Sequence, residues 1–126
     1  MCYFPLVVLV LGSACPHASA YMTLPEMVET LALERGVDVD RALLTVTLES
    51  EWDPSAVGDE GRAVGLWQFH PGTWEWACDL TGRPDWRDPV NRLDPVRSTI
   101  VALDMIARGW GHLWTGWRMA GEVLHG

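Results

Sequence analysis

A chain of 126 residues in which 48% of side chains are hydrophobic can build one core and has no need of a second domain. Its 17 Asp and Glu outweigh nine basic residues, all Arg, so the molecule is acidic and lacks the basic stripe that phosphate backbones require. That balance argues against nucleic acid and favours a neutral or mixed-charge polymer, or a small uncharged ligand.

The first twenty residues contain no Asp, Glu or Arg; Pro5 to Ala14 is an apolar run, and Ala18-Ser19-Ala20 has the small-x-small shape of a signal-peptidase site. The expectation is an export signal over 1–20 and one domain over 21–126, destined for the periplasm, the cell wall or the exterior, with a phage particle as a further possible setting. Because positive residues are missing before the run, an uncleaved anchor or lipid attachment at Cys15 stays open. Cleavage would remove Cys2 and Cys15, leaving Cys78 without a disulfide partner, as a small buried hydrophobe. A monomer is expected.

From Thr23 the pattern is helical. Leu24, Met27, Val28, Leu31 and Ala32 recur at three- and four-residue steps, Thr23 with Glu26 forms a capping box, and Gly36 stops the helix. Asp38 or Asp40 caps a second helix whose face is Val39, Ala42, Leu43, Val46 and Ser50, ending near Trp52 ahead of Pro54. Ser55 to Val64, rich in Gly and acids and without apolar period, reads as a loop, and Gly65 to Phe69 as a short extended or turn segment.

Pro71 opens a third helix through Trp74, Ala77, Cys78 and Thr81 to Gly82, and Arg83 to Asn91 is irregular. Asp94-Pro95 opens a fourth, with face Val96, Thr99, Ile100, Leu103 and Ala107 and a stop at Gly109. Trp110 to Gly121 reads as a turn and a final short helix, so the fold class is mainly α: a small helical domain with an irregular loop beside its second helix. Of the eight Trp, about five or six are expected in the core and about two or three along a groove, where their flat faces can stack on sugar rings.

Glu49 follows Val46 by three residues and Ala42 by seven, which puts a carboxyl on the apolar face of the second helix. Desolvation there raises its pKa and keeps it protonated, as a glycosidic general acid requires. The bland alternative is a Glu that swings outward at a frayed helix end or pairs with an Arg. Glycoside cleavage commonly uses two carboxylates; Glu51 points to the opposite side, Asp53 is disfavoured by Pro54, and Asp59 and Glu60 lie on the loop with nothing in the sequence to bring them closer. Without a partner, the substrate's own acetamido group must assist, and one acid acts twice. His17, His70, His112 and His125 are not spaced as metal ligands, His70 before Pro71 reads as a turn residue, and no Gly-x-Ser-x-Gly or phosphate loop occurs.

Glu49-Ser50-Glu51-Trp52-Asp53-Pro54-Ser55-Ala56-Val57-Gly58, then Gly61 and Ala63, Gly65-Leu66-Trp67-Gln68-Phe69 and Pro71-Gly72-Thr73-Trp74, are similar to the soluble-type lytic transglycosylases, relatives of goose-type lysozyme. The resemblance spans roughly Ala42 to Gly121 and implies a lysozyme-like fold with Glu49 on a catalytic helix as sole acid and base. It further implies Ser50 beside the site, Gln68 lining the sugar cleft, and Gly65, Leu66 and Trp67 of the same turn among the substrate-binding residues. The implied partner is the peptidoglycan glycan strand, cleaved between N-acetylmuramic acid and N-acetylglucosamine with a 1,6-anhydro product, and no metal or cofactor. Where the family often has Ser, this chain has Gly58; where it often shows Tyr-Asn-Ala-Gly, this chain has Arg118-Met119-Ala120-Gly121, leaving Trp114 or Trp117 as candidates for the missing aromatic contact. Two other classes remain open: a non-catalytic wall-binding module, and a muramidase that uses water on the same bond.

Overall fold

The computed structural model describes residues 21–126 and the backbone of Val7–Leu9; apart from that strand, the export signal expected over 1–20 lies outside the described residues. Strand β1 (Val7–Leu9) pairs antiparallel with β2 (Tyr21–Thr23), which runs directly into helix α1 (Leu24–Glu34). Thr23 caps α1 by accepting from the Glu26 amide at 3.3 Å, while its hydroxyl donates to the Glu26 carboxylate at 3.0 Å. The buried residues of α1 are Leu24, Met27, Val28, Leu31 and Ala32, the face read from the sequence.

Helix α2 (Val39–Ser50) starts at Asp38, whose carboxylate accepts from the Arg41 amide at 3.0 Å. It stops two residues before the expected Trp52, because Glu51 and Trp52 both adopt left-handed backbone, φ 51° and 67°. The segment expected to be a plain loop is a miniature hairpin: β3 (Val57–Gly58) pairs with β4 (Ala63–Val64) around a turn at Asp59–Gly61 whose three residues all have positive φ. Two-residue strands containing Gly carry no alternation that a period could reveal.

Helix α3 (Pro71–Leu80) buries Trp74, Ala77 and Cys78, and two short 3₁₀ turns, Pro84–Trp86 and Pro89–Leu93, replace the irregular connection. Helix α4 (Pro95–Met105) is capped by Asp94, which accepts from the Val96 and Arg97 amides. It buries Ser98, Thr99, Val101, Ala102, Leu103 and Met105, while Val96 and Ile100 pack half-buried against the core, so the predicted face holds except at Ala107, which is exposed, and neighbours cover further sides of α4 as well. The chain then widens into a π-helical turn, Ile106–Trp110, before helix α5 (Thr115–His125).

Helix α2 packs against both α1 and α5, and α1 also meets α4. Asp104 of α4 accepts from Arg35 at 2.7 Å and from Arg83, tying the end of α1 to the chain leaving α3. At the centre, Phe69 meets Trp74 and Trp114 edge to face at 5.0 and 5.3 Å, and Trp67 meets Trp114 at 6.0 Å. Each buried indole N–H has a partner: Trp67 donates to Thr99 Oγ1, Trp74 to the Trp86 carbonyl and Trp114 to the Trp67 carbonyl.

Candidate active site

The last turn of α2, the hairpin, the turn before α3 and the start of α5 enclose a cleft of about 470 Å³. Its lining includes Glu49, Asp59, Gln68, His70, Thr73 and Trp114. Glu49 Oε2 accepts a hydrogen bond from the Gly116 amide, in the first turn of α5, at 3.2 Å. Burial pushes the Glu49 carboxyl above its ordinary range, and the Gly116 hydrogen bond, which favours the ionised form, draws it partway back. The carboxyl therefore lies in the wall of an open cleft, half-buried and tethered on one side, with no Arg paired to it.

Gly116 makes that approach possible. A Cβ there would lie 3.1 Å from Glu49 Cγ and Oε2 and 3.1 Å from the Thr45 carbonyl oxygen. Any larger residue would push α5 away from the carboxyl it supports.

Gln68 is held in left-handed backbone, φ 51°, and its amide nitrogen donates to the Ala56 and Gly65 carbonyls at 3.1 and 3.0 Å. Only the NH₂ end can satisfy two carbonyls, so the orientation is fixed and Oε1 is left as an acceptor. That oxygen would stand 2.6 Å from a Cβ on Gly58, so the departure from Ser at this position accommodates the Gln68 amide. Among the described residues, five non-glycine residues have left-handed backbone, and all lie from Glu51 to Gln68. Such strain is held in place where surrounding packing over-determines it.

Several predicted site residues are placed differently from expectation. Leu66 and Trp67 are 0% exposed and support the turn from the core, so they cannot touch a sugar. Gly65 is also buried: its φ of 88° and the carbonyl of Arg92, against which a Cβ would collide, both demand glycine. Ser50 is buried, and its hydroxyl donates to the Val46 carbonyl at 3.2 Å, closing the helix instead of facing the cleft. Trp114 forms part of the cleft wall, nearly buried. Trp117 is not in the lining; Arg41 stacks on its ring at 4.1 Å and donates to its carbonyl, and the same guanidinium lies over Gly121. Of the eight Trp, three are buried, four are half-buried and one is exposed, so the expected groove-lining set reduces to Trp114 within this cleft.

Two titratable residues outside the sequence assignment, Asp59 and His70, line the cleft. Asp59 Oδ2 lies 3.0 Å from His70 Nε2, and its Oδ1 accepts from Arg62 at 3.3 Å, so His70 lines the cleft as well as preceding α3. The hairpin brings Asp59 to the cleft, and the bridge between Val64 and Phe69 fixes the hairpin to the turn. Asp53 instead caps Ser55, and Glu51 points to solvent.

The family model described as the transglycosylase SLT domain matches residues 26–120, a span that contains the catalytic-helix candidate, the hairpin, the turn and the start of α5. The chain belongs to the transglycosylase SLT family. Membership indicates peptidoglycan-related activity of the lytic transglycosylase type at the level of the family, and peptidoglycan as the substrate class. No curated protein and no solved structure matches the chain.

Proposed function

We propose that this SLT domain cleaves the β-1,4 bond between N-acetylmuramic acid and N-acetylglucosamine, with Glu49 as proton donor and then acceptor. In the first half, the Glu49 carboxyl protonates the glycosidic oxygen, the bond to the muramyl anomeric carbon breaks, and the acetamido oxygen of the same sugar closes on that carbon. In the second, the Glu49 carboxylate takes the proton of the muramyl 6-hydroxyl, whose oxygen displaces the acetamido group and gives the 1,6-anhydro ring. The acid ends as it began, and no water is consumed. Gln68 Oε1 and the Trp114 wall serve as polar and apolar contacts for the sugar.

The single observation that carries this reading is a half-buried carboxyl, its pKa raised by burial, tethered by one backbone amide and open to a cleft. A module that only binds walls gains nothing from such an acid. The proposed substrate lies outside the cytoplasmic membrane, in accord with the export segment expected over 1–20.

Asp59 favours a second reading, since a second carboxylate on the same cleft can activate a water for hydrolysis of the same bond. Mass spectrometry of the fragments released from purified walls separates the two: the anhydro product is lighter than the hydrolysed one by one water. Anhydro ends alone support the proposal, reducing ends alone support the muramidase, and sedimentation with walls without any released fragment overturns both.

A further inference from the structure

Beside the cleft, outside its lining, stands an aromatic cluster that the proposed chemistry does not use. Trp76 on α3 is 40% exposed, the most exposed of the described Trp, and its ring meets Trp110 edge to face at 4.9 Å. The Trp110 ring lies 5.7 Å from that of His112, tilted against it by 35°. The chain ties the cluster to the cleft lining at two positions. Trp76 follows the cleft residue Thr73 by three positions on the same helix face, and His112 precedes the cleft residue Leu113.

The backbone reaches this arrangement by an unusual route. After α4 the helix widens into the π-turn Ile106–Trp110, and Gly109 takes φ 95° with open space where its Cβ would be, so glycine is needed there for conformation alone. The result is that Trp110 is carried against Trp76 at the surface and only partly joins the core. An indole left in water is unfavourable, and an aromatic set continuous with a ligand cleft fits the interaction it extends.

We infer that Trp76, Trp110 and His112 form an additional saccharide subsite, on which a sugar ring of the same glycan strand stacks beyond the cleft. This rests on the reading given under Proposed function. A neutral pyranose presents C–H faces to the indoles and hydroxyls to His112 and water. A carboxylate-bearing stem peptide would meet a chain of formal net charge −8.

The test uses Glu49→Gln protein, so that ligand survives, titrated by calorimetry with a trisaccharide and a hexasaccharide of β-1,4-linked N-acetylglucosamine, both free of peptide. Adding Trp76→Ala should weaken the hexasaccharide about fivefold, the equivalent of about 1 kcal/mol for one lost aromatic contact, and leave the trisaccharide unchanged. Trp76→Phe should recover most of the loss, and an unchanged melting temperature shows that the fold is intact. Equal hexasaccharide binding with and without Trp76 overturns the subsite alone. Equal losses on both lengths overturn it too, by making Trp76 part of the cleft wall. A loss confined to peptide-bearing wall fragments assigns the platform to the stem peptide, and a dimer that dissociates in Trp76→Ala assigns it to a second copy; either overturns the saccharide. Failure of Glu49→Gln to bind either length removes the functional reading and the subsite together.

Discussion

Replacing Gly116 by Ala probes the contact on which the site depends. Two opposed effects set its magnitude. Ala is better than Gly in a helix by about 1 kcal/mol, and α5 would gain up to that amount. Against this, the new methyl would lie 3.1 Å from Glu49 Cγ, from Glu49 Oε2 and from the Thr45 carbonyl. The Glu49 side chain can turn aside, but the Thr45 carbonyl belongs to α2 and yields only if α2 and α5 part. Overpacking of this kind costs about 1–3 kcal/mol, so we expect a net loss near 1 kcal/mol and a melting temperature lower by about 4–8 °C for a domain of this size. Turning Glu49 aside also breaks its hydrogen bond to the Gly116 amide. Since a misplacement of about 1 Å can cost a hundredfold, a shift of a few tenths should lower kcat about tenfold with KM little changed. Thermal melts and release of soluble muropeptides from purified walls measure both. A variant that melts higher and keeps full kcat would refute the description of α5 as packed on the Glu49 carboxyl.

Glu49→Gln keeps an acceptor for the Gly116 amide but removes the titrating group, and wall cleavage should fall about a thousandfold. Because burial raises the folded-state pKa of Glu49 above its unfolded value, the folded state binds more protons within that window, and wild-type stability falls as pH rises through it. The variant lacks that fall and should gain melting temperature over wild type at about pH 7 relative to about pH 4; an equal difference at both pH values would count against a buried acid. Gly58→Ala places a methyl 2.6 Å from Gln68 Oε1, and the clash is relieved only by breaking the two hydrogen bonds that hold the amide. We expect about 1–2 kcal/mol of lost stability and a raised KM, while an unchanged melt and KM would show that the amide position is unimportant.

How far the sequence could be read varies with the range of the interaction. The α1 face and the Thr23 cap were legible, and the α2 cap was narrowed to Asp38 or Asp40, because these depend on residues three and four apart. The face of α4 was read too narrowly, and wrongly only at Ala107, because a periodic reading assumes one covered side, whereas Val101, Ala102 and Met105 are buried as well. Glu49 was legible from its position on the α2 wheel, although nothing local reveals Gly116, 67 positions later, as its hydrogen-bond partner. The hairpin, and with it the arrival of Asp59 beside His70, depends on pairs of two-residue strands that leave no periodic trace.

The stretch Gly65-Leu66-Trp67-Gln68-Phe69 shows why a contiguous motif need not be a contiguous binding surface. Left-handed backbone at Gly65 and again at Gln68 accompanies a turn that brings Phe69 back beside Val64. Leu66 and Trp67 consequently enter the core with Phe69, and Trp67 anchors itself on Thr99. Gln68 alone presents a polar group to the cleft, and Phe69 contributes to its floor. The apolar members therefore act on the ligand through position: they bury the turn so firmly that an amide in an unfavourable backbone conformation has one place to be. The same division applies at the other wall, where Gly116 contributes an amide and an absent side chain, and Trp114 a ring whose N–H is already engaged by the Trp67 carbonyl. That one hydrogen bond joins the two halves, so loosening Trp67 should be felt at Trp114 and, two residues further on, at the tether of Glu49.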